Sequence, residues 1–200
     1  MHYPFEPTPF IIQSRLMTPA KLRKAFQLLL GEMPSRIKKV SDYISDARGV
    51  RITPHSTPEV INQLPALIAS LGSLRQIPHE EFEFLIARKE AWKTDILRDI
   101  MPRIDLSAET RELSFDGSLL WGEAFRVMYP EAKWAVGGKP KSSVDYAEPV
   151  LIGPNSSPME FGVVGELVMH VSTVLENDIE RYSLLEVMQM RARNLKLVRS

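Results

Sequence analysis

The chain predicts a mostly helical α+β fold, with about six helices around one small antiparallel β-hairpin. Three observations lead there. Apolar residues recur at three- and four-residue spacing along most of the sequence. Gly or Pro interrupts those stretches repeatedly, which keeps the helices short. Only 132–136 and 149–152 read as strands. With no internal repeat, the 200 residues read as a single domain, 1–200. Within it, 13–75 form an N-terminal helical lobe and 79–200 a helix–hairpin–helix body.

Residues 1–12, rich in proline and aromatics, read as an extended arm lying on the body. Thr18 then caps a helix, with Pro19 in the first turn where its missing N–H costs nothing. Leu22, Ala25, Phe26, Leu29 and Leu30 follow, and Gly31 ends the run. A second helix starts near Ser35, buries Ile37, Val40, Ile44 and Ala47, and stops at Gly49. The two predict a helical hairpin with Arg23, Lys24, Lys38 and Lys39 on its outer faces. Thr53 to Pro58 is a linker by composition. Leu64, Leu67, Ile68 and Leu71 mark a short helix ending at Gly72, which Pro65 either starts or kinks. A longer helix over 79–100 places Phe82, Leu85, Ile86, Trp92, Ile96 and Ile100 inward, and Pro102 halts it.

In the second half, Asp116 or Ser118 is the expected cap of a helix across 119–129, with Gly117-Ser118 as a turn. Leu120, Ala124, Val127 and Met128 point inward. Trp121, Phe125 and Tyr129 lie beside that stripe, so the helix is apolar over much of its circumference, as one sandwiched between layers would be. The two strands follow, joined by a long Gly-Gly-Lys-Pro-Lys loop. A helix at 160–176 carries Val164, Leu167, Val168, Val171 and Leu175. Ser183 and Glu186 have capping-box spacing at the start of the last helix.

Several functions find no support. Cysteine is absent, which removes disulfides, thiolate metal sites and cysteine nucleophiles. The N-terminus lacks the features of a secretory signal and no window is apolar enough for a membrane span, so the expectation is a cytoplasmic protein with no membrane partner. Residues 13–51 carry nine Lys/Arg against three Asp/Glu, but overall charge is zero, which argues against nucleic acid as the partner. His79 with Glu83, and Glu166 with His170, have i, i+4 spacing that two metal-binding helices could use, yet the remaining ligands of such a site are missing. Structural histidines explain them better. There is no nucleophile elbow. The loop at Gly138-Lys139 fails the phosphate-loop pattern, because Lys133 stands where a glycine is needed and Pro140 follows the lysine. No catalytic residue, metal or cofactor is therefore assigned.

What remains is a helix–hairpin junction that can bind something. Trp121, Glu123, Arg126, Trp134, Lys139, Lys141 and Tyr146 are its candidate ligand-binding residues. The aromatics fill the core in the simpler reading or line a pocket in the other, and the lysines either contact an anion or keep a sheet edge soluble.

The order Gly122, Glu123, Arg126, Tyr129, Pro130, Trp134, then Pro149, Val150 and Leu151, resembles a pattern in an uncharacterised bacterial protein family. The resemblance covers roughly residues 116–200. It implies a small α+β module of bacterial origin and no activity.

The sequence thus points to a non-enzymatic binding or regulatory protein acting through contacts with a protein partner, a homo-oligomer being compatible with this. The alternatives are a small-molecule or anion-binding domain, with a pocket between helix 119–129 and the hairpin, and nucleic-acid binding through the basic 13–51 helices.

Overall fold

The computed structural model describes residues 3–4, 17–87, 104–138, 147–154, 159–176 and 183–198. Its helices are α1 (Pro19–Arg48), α2 (Pro58–Ile61), α3 (Leu64–Leu71), α4 (His79–Ala87), α5 (Ala108–Met128), α6 (Val163–Leu175) and α7 (Leu184–Asn194). The strands are β1 (Leu74–Gln76), β2 (Ile104–Leu106), β3 (Lys133–Val136), β4 (Pro149–Ile152) and β5 (Glu160–Phe161). The protein is a mostly helical α+β structure with small antiparallel sheets.

The expected helical hairpin at 18–49 is instead one helix. Thr18 caps it, accepting the Lys21 N–H at 3.4 Å, and Gly49 closes it in the left-handed conformation. Between those ends α1 runs through Gly31 and Pro34 for 30 residues, about 45 Å. A helical Gly costs about 1 kcal/mol and a Pro about 3 kcal/mol relative to Ala. Against them stands an unbroken buried stripe: Leu22, Phe26, Leu29, Met33, Ile37, Val40 and Ile44. Each such side chain contributes about 1.5–3 kcal/mol on burial, so the stripe outweighs both breakers.

The second correction concerns α5. It begins eleven residues before the expected Leu119, at Ala108, where Ser107 caps it by accepting the Thr110 N–H at 3.2 Å. Asp116, Gly117 and Ser118 are therefore neither caps nor a turn; they lie inside the helix. Every residue from Leu113 to Gly122 is buried, because α1, α3 and α6 pack around this helix. Its serines fit the interior by returning their hydroxyls to the helix backbone, Ser114 to the Thr110 carbonyl at 2.7 Å and Ser118 to that of Phe115 at 2.6 Å.

Elsewhere the elements follow the sequence more closely, although Glu160 and Phe161, expected in a helix over 160–176, form β5, and α6 begins at Val163. The 64–71 helix has Pro65 in its first turn, and the Thr53–Pro58 linker leads into the single turn α2, which Pro58 starts. Phe82 and Ile86 of α4 are buried with Ile77, while 88–100 of the expected 79–100 helix lie outside the described residues. Ser183 and Glu186 form the capping box of α7. β3 and β4 pair with Trp134 opposite Leu151, and β5 adds a third strand by placing Phe161 opposite Leu151 on the other side. β1 and β2 form a separate two-stranded pair too short for an alternation signal. The end of β4 meets the end of α7 so closely that a Cβ at Gly153 would lie 2.0 Å from the Leu195 carbonyl oxygen. No described helix is long and apolar enough to cross a membrane.

One buried cluster joins α1, α3, α5, α6 and α7, and α5 supplies its largest side chain, Trp121, together with Phe125. Two levels of this central helix, two turns apart, carry the polar arrangements that matter for function.

Candidate functional site

The first arrangement lies where α1 crosses α5. Arg36 lies beside the apolar stripe of α1, and its side chain is only 8 % exposed. Asp116 faces it from α5 with a side chain 1 % exposed, and the Arg36 Nη1 donates to Oδ1 at 2.9 Å. Arg36 Nε also donates to Glu32 Oε2 at 3.3 Å. The other carboxylate oxygen of Asp116 accepts the Tyr3 hydroxyl at 2.6 Å. Tyr3 is fully buried, and its ring meets Tyr43 edge-on at 4.9 Å.

The main chain around Tyr3 is held as well. Its N–H donates to Glu109 Oε1 at 2.6 Å, and the Pro4 carbonyl accepts from Lys39 Nζ at 2.7 Å. Beside Pro4, a cleft of about 490 Å3 along α1 is bounded by Ser35, Lys38, Lys39, Asp42, Tyr43 and Asp46. Lys38 and Asp42 form an ion pair on its rim.

Burial sets the protonation of this cluster. Desolvation pushes the Asp116 carboxyl above the usual carboxylate range, although the Tyr3 hydroxyl and the Arg36 charge pull it back in part. Desolvation also raises the Tyr3 phenol far above its ordinary value, and the Asp116 charge adds to the effect. The proton accordingly stays on Tyr3, which acts as a donor to Asp116. Such a phenol is a recognition group, poorly suited to acid–base exchange near neutral pH.

The second arrangement contains the residues singled out in the sequence. Glu123 Oε1 accepts from Arg126 Nη1 at 2.8 Å and from the Trp134 indole N–H at 2.5 Å. Arg126 Nε donates to the Ala132 carbonyl at 3.2 Å, so this side chain ties α5 to the start of β3. Trp134 lies across Gly122, where an added Cβ would come within 2.3 Å of the indole. The three polar side chains thus satisfy one another. Trp121 does not join them. It is fully buried against Phe161, with ring centroids 5.1 Å apart, and its indole N–H has no hydrogen-bond partner among the described residues. Lys139, Lys141 and Tyr146 lie outside the described residues.

Glu166, which shares i, i+4 spacing with His170, is bonded to Arg191. Among the described residues no three His, Cys, Asp or Glu side chains gather as metal ligands would. Gly138 donates its N–H to both carboxylate oxygens of Glu160, at 3.0 and 3.1 Å, which anchors one foot of the hairpin loop to β5.

No family model, no curated protein and no solved structure matches this chain.

Tyr3, Arg36, Glu109 and Asp116 were missed as site residues in the sequence. A signal existed for two of them. Arg36 falls at a buried position of a continuous 3–4 stripe, between Met33 and Ile37. Asp116 stands at helical spacing from Leu113 and Leu120, among the apolar positions of that stretch. Reading 18–49 as two helices and Asp116 as a cap hid both.

Proposed function

We propose that this protein is a non-enzymatic binding or regulatory protein that works through contacts with other proteins. The observation that carries the proposal is how the α1–α5 seam holds Tyr3–Pro4. Charged side chains take the main-chain N–H and C=O on either side, while the aromatic side chain enters a buried polar pocket. Extended peptides are bound in this manner by protein surfaces, with main-chain bonds supplying affinity and a pocket supplying selectivity. The self-satisfied Glu123–Arg126–Trp134 group is better suited to bracing the hairpin than to receiving a small molecule.

Affinity capture from a lysate, run beside turnover assays on a broad substrate panel, tests the reading. The expected result is a protein partner whose complex re-forms from purified components. Turnover of a substrate, with no partner that re-forms a complex, would overturn it.

A further inference from the structure

We infer that the outer edge of β3 is the contact through which two copies of this chain associate, the two strands pairing antiparallel about a two-fold axis at Ala135. This goes beyond the protein-contact reading above, which concerns a different protein, and it has its own readouts.

The hydrogen-bond pattern defines the edge. Gly137 donates its N–H to the Glu148 carbonyl and accepts the Ala147 N–H, so both of its main-chain groups face β4. Direction alternates along a strand, so Lys133 and Ala135 also face β4, while Trp134 and Val136 turn their N–H and C=O the other way. β3 is the end strand of its sheet, in the order β3-β4-β5. The outward groups of Trp134 and Val136 accordingly meet no main-chain partner among the described residues.

The complement of such an edge is another extended backbone, and β3 itself fits it. With Ala135 opposite its own counterpart, Trp134 stands opposite Val136 of the second copy, and Val136 opposite the second copy's Trp134. That register satisfies every outward N–H and C=O at both positions. Each crossing also joins an aromatic to a β-branched side chain, a favoured cross-strand pair, and both side chains are only partly buried in a single chain. Ala135 is small enough at the axis for the strands to close. Lys133, the one charge on the strand, falls opposite Gly137, which leaves it room. The two lysines are then about 13 Å apart along the strands, so like charges do not meet.

Space permits the pairing. α5 touches both outer strands of the sheet, through Trp121 and Phe125 on Phe161 and through Gly122 on Trp134, which places it over the middle strand. Strands lie about 4.8 Å apart, so the two β4 strands would be about 14 Å apart, wider than the roughly 8–10 Å between packed helices. The assembly also closes at two copies. The far edge of the sheet is β5, two residues long and followed by α6, too short to repeat the contact.

Sedimentation velocity of the full chain from about 10 μM to about 1 mM tests the inference, a range suited to a small interface. Wild type is expected to pass from monomer to dimer; a monomer throughout overturns the inference. Val136→Pro removes an outward N–H and spares the β4 ladder, whose bonds come from the neighbouring residues. It should weaken the dimer at least about tenfold, and an unchanged dimer overturns the inference. Ala135→Lys and Ala135→Glu, each checked for folding by circular dichroism, give a second measure that does not depend on the proline variant. Either alone sets like charges face to face at the axis and should leave the chain monomeric, whereas an equimolar mixture should restore a dimer containing one of each. Variants that dimerise alone as wild type does, or a mixture that stays monomeric, overturn the inference. Capture of a different protein from lysate moves none of these readouts, so the two conclusions can fail separately.

Discussion

Asp116 and Glu123 lie two turns apart on α5, and each accepts hydrogen bonds from one arginine and one aromatic side chain. The resemblance ends there. Asp116 is almost entirely buried, and its partners come from 80 and 113 residues away in the chain. Glu123 keeps 24 % of its side chain exposed, and its partners are three and eleven residues away. The distant, dry cluster joins separate segments of the molecule; the local, half-wet one braces a single helix–strand junction. Similar chemistry on one helix thus has two consequences, set by solvent access and by the chain length between partners.

Arg36→Met should separate the two clusters most sharply. It strands a buried carboxylate, and a loss of about 3–5 kcal/mol is expected in urea denaturation. A loss under about 1 kcal/mol would show that the pair carries no more than a surface bridge. Tyr3→Phe comes next, at about 1.5–3 kcal/mol, the range for a hydrogen bond to a charged group. Its pH dependence is a second measure. The phenol is raised above its ordinary value of 10.0 in the folded state, so its contribution is complete below about pH 10 and falls as the pH climbs further. Wild type should lose stability in that alkaline range, and Tyr3→Phe should lose less.

The sequence showed these two regions unequally. Glu123, Arg126 and Trp134 could be grouped because helical spacing and a short turn bring near neighbours together. Tyr3, Arg36 and Asp116 could not, since no local periodicity reports a contact across 113 residues. Helix boundaries failed for a related reason. Propensity marked breaks at Gly31 and at Asp116-Gly117-Ser118, but tertiary burial on both helices overrode them. Where local signals sufficed, as in the α7 capping box and the β3–β4 pair, expectation and structure agree.

Two smaller effects sharpen the contrast from the Glu123 side. Gly122→Ala drives a methyl into the Trp134 indole and should cost about 1–3 kcal/mol, with a change in near-ultraviolet circular dichroism as the ring moves. A spectrum identical to wild type would mean that Trp134 does not lie on this helix. Glu123→Gln retains an acceptor but loses the charge, and about 0.2–1 kcal/mol is expected, diminishing with added salt. A salt-independent loss as large as that of Arg36→Met would erase the distinction between the clusters.

The meeting of β4 with α7 has a consequence for how the sequence can vary. At Gly153 the nearest atom is a backbone carbonyl, which no rotamer change can move aside. Gly122 faces an indole that can swing away, so its exclusion of side chains is conditional on what occupies 134. In a saturation library selected for folding, position 153 should therefore retain glycine in nearly every survivor. Position 122 should instead covary with 134, accepting a larger residue wherever the tryptophan has been replaced by a smaller one.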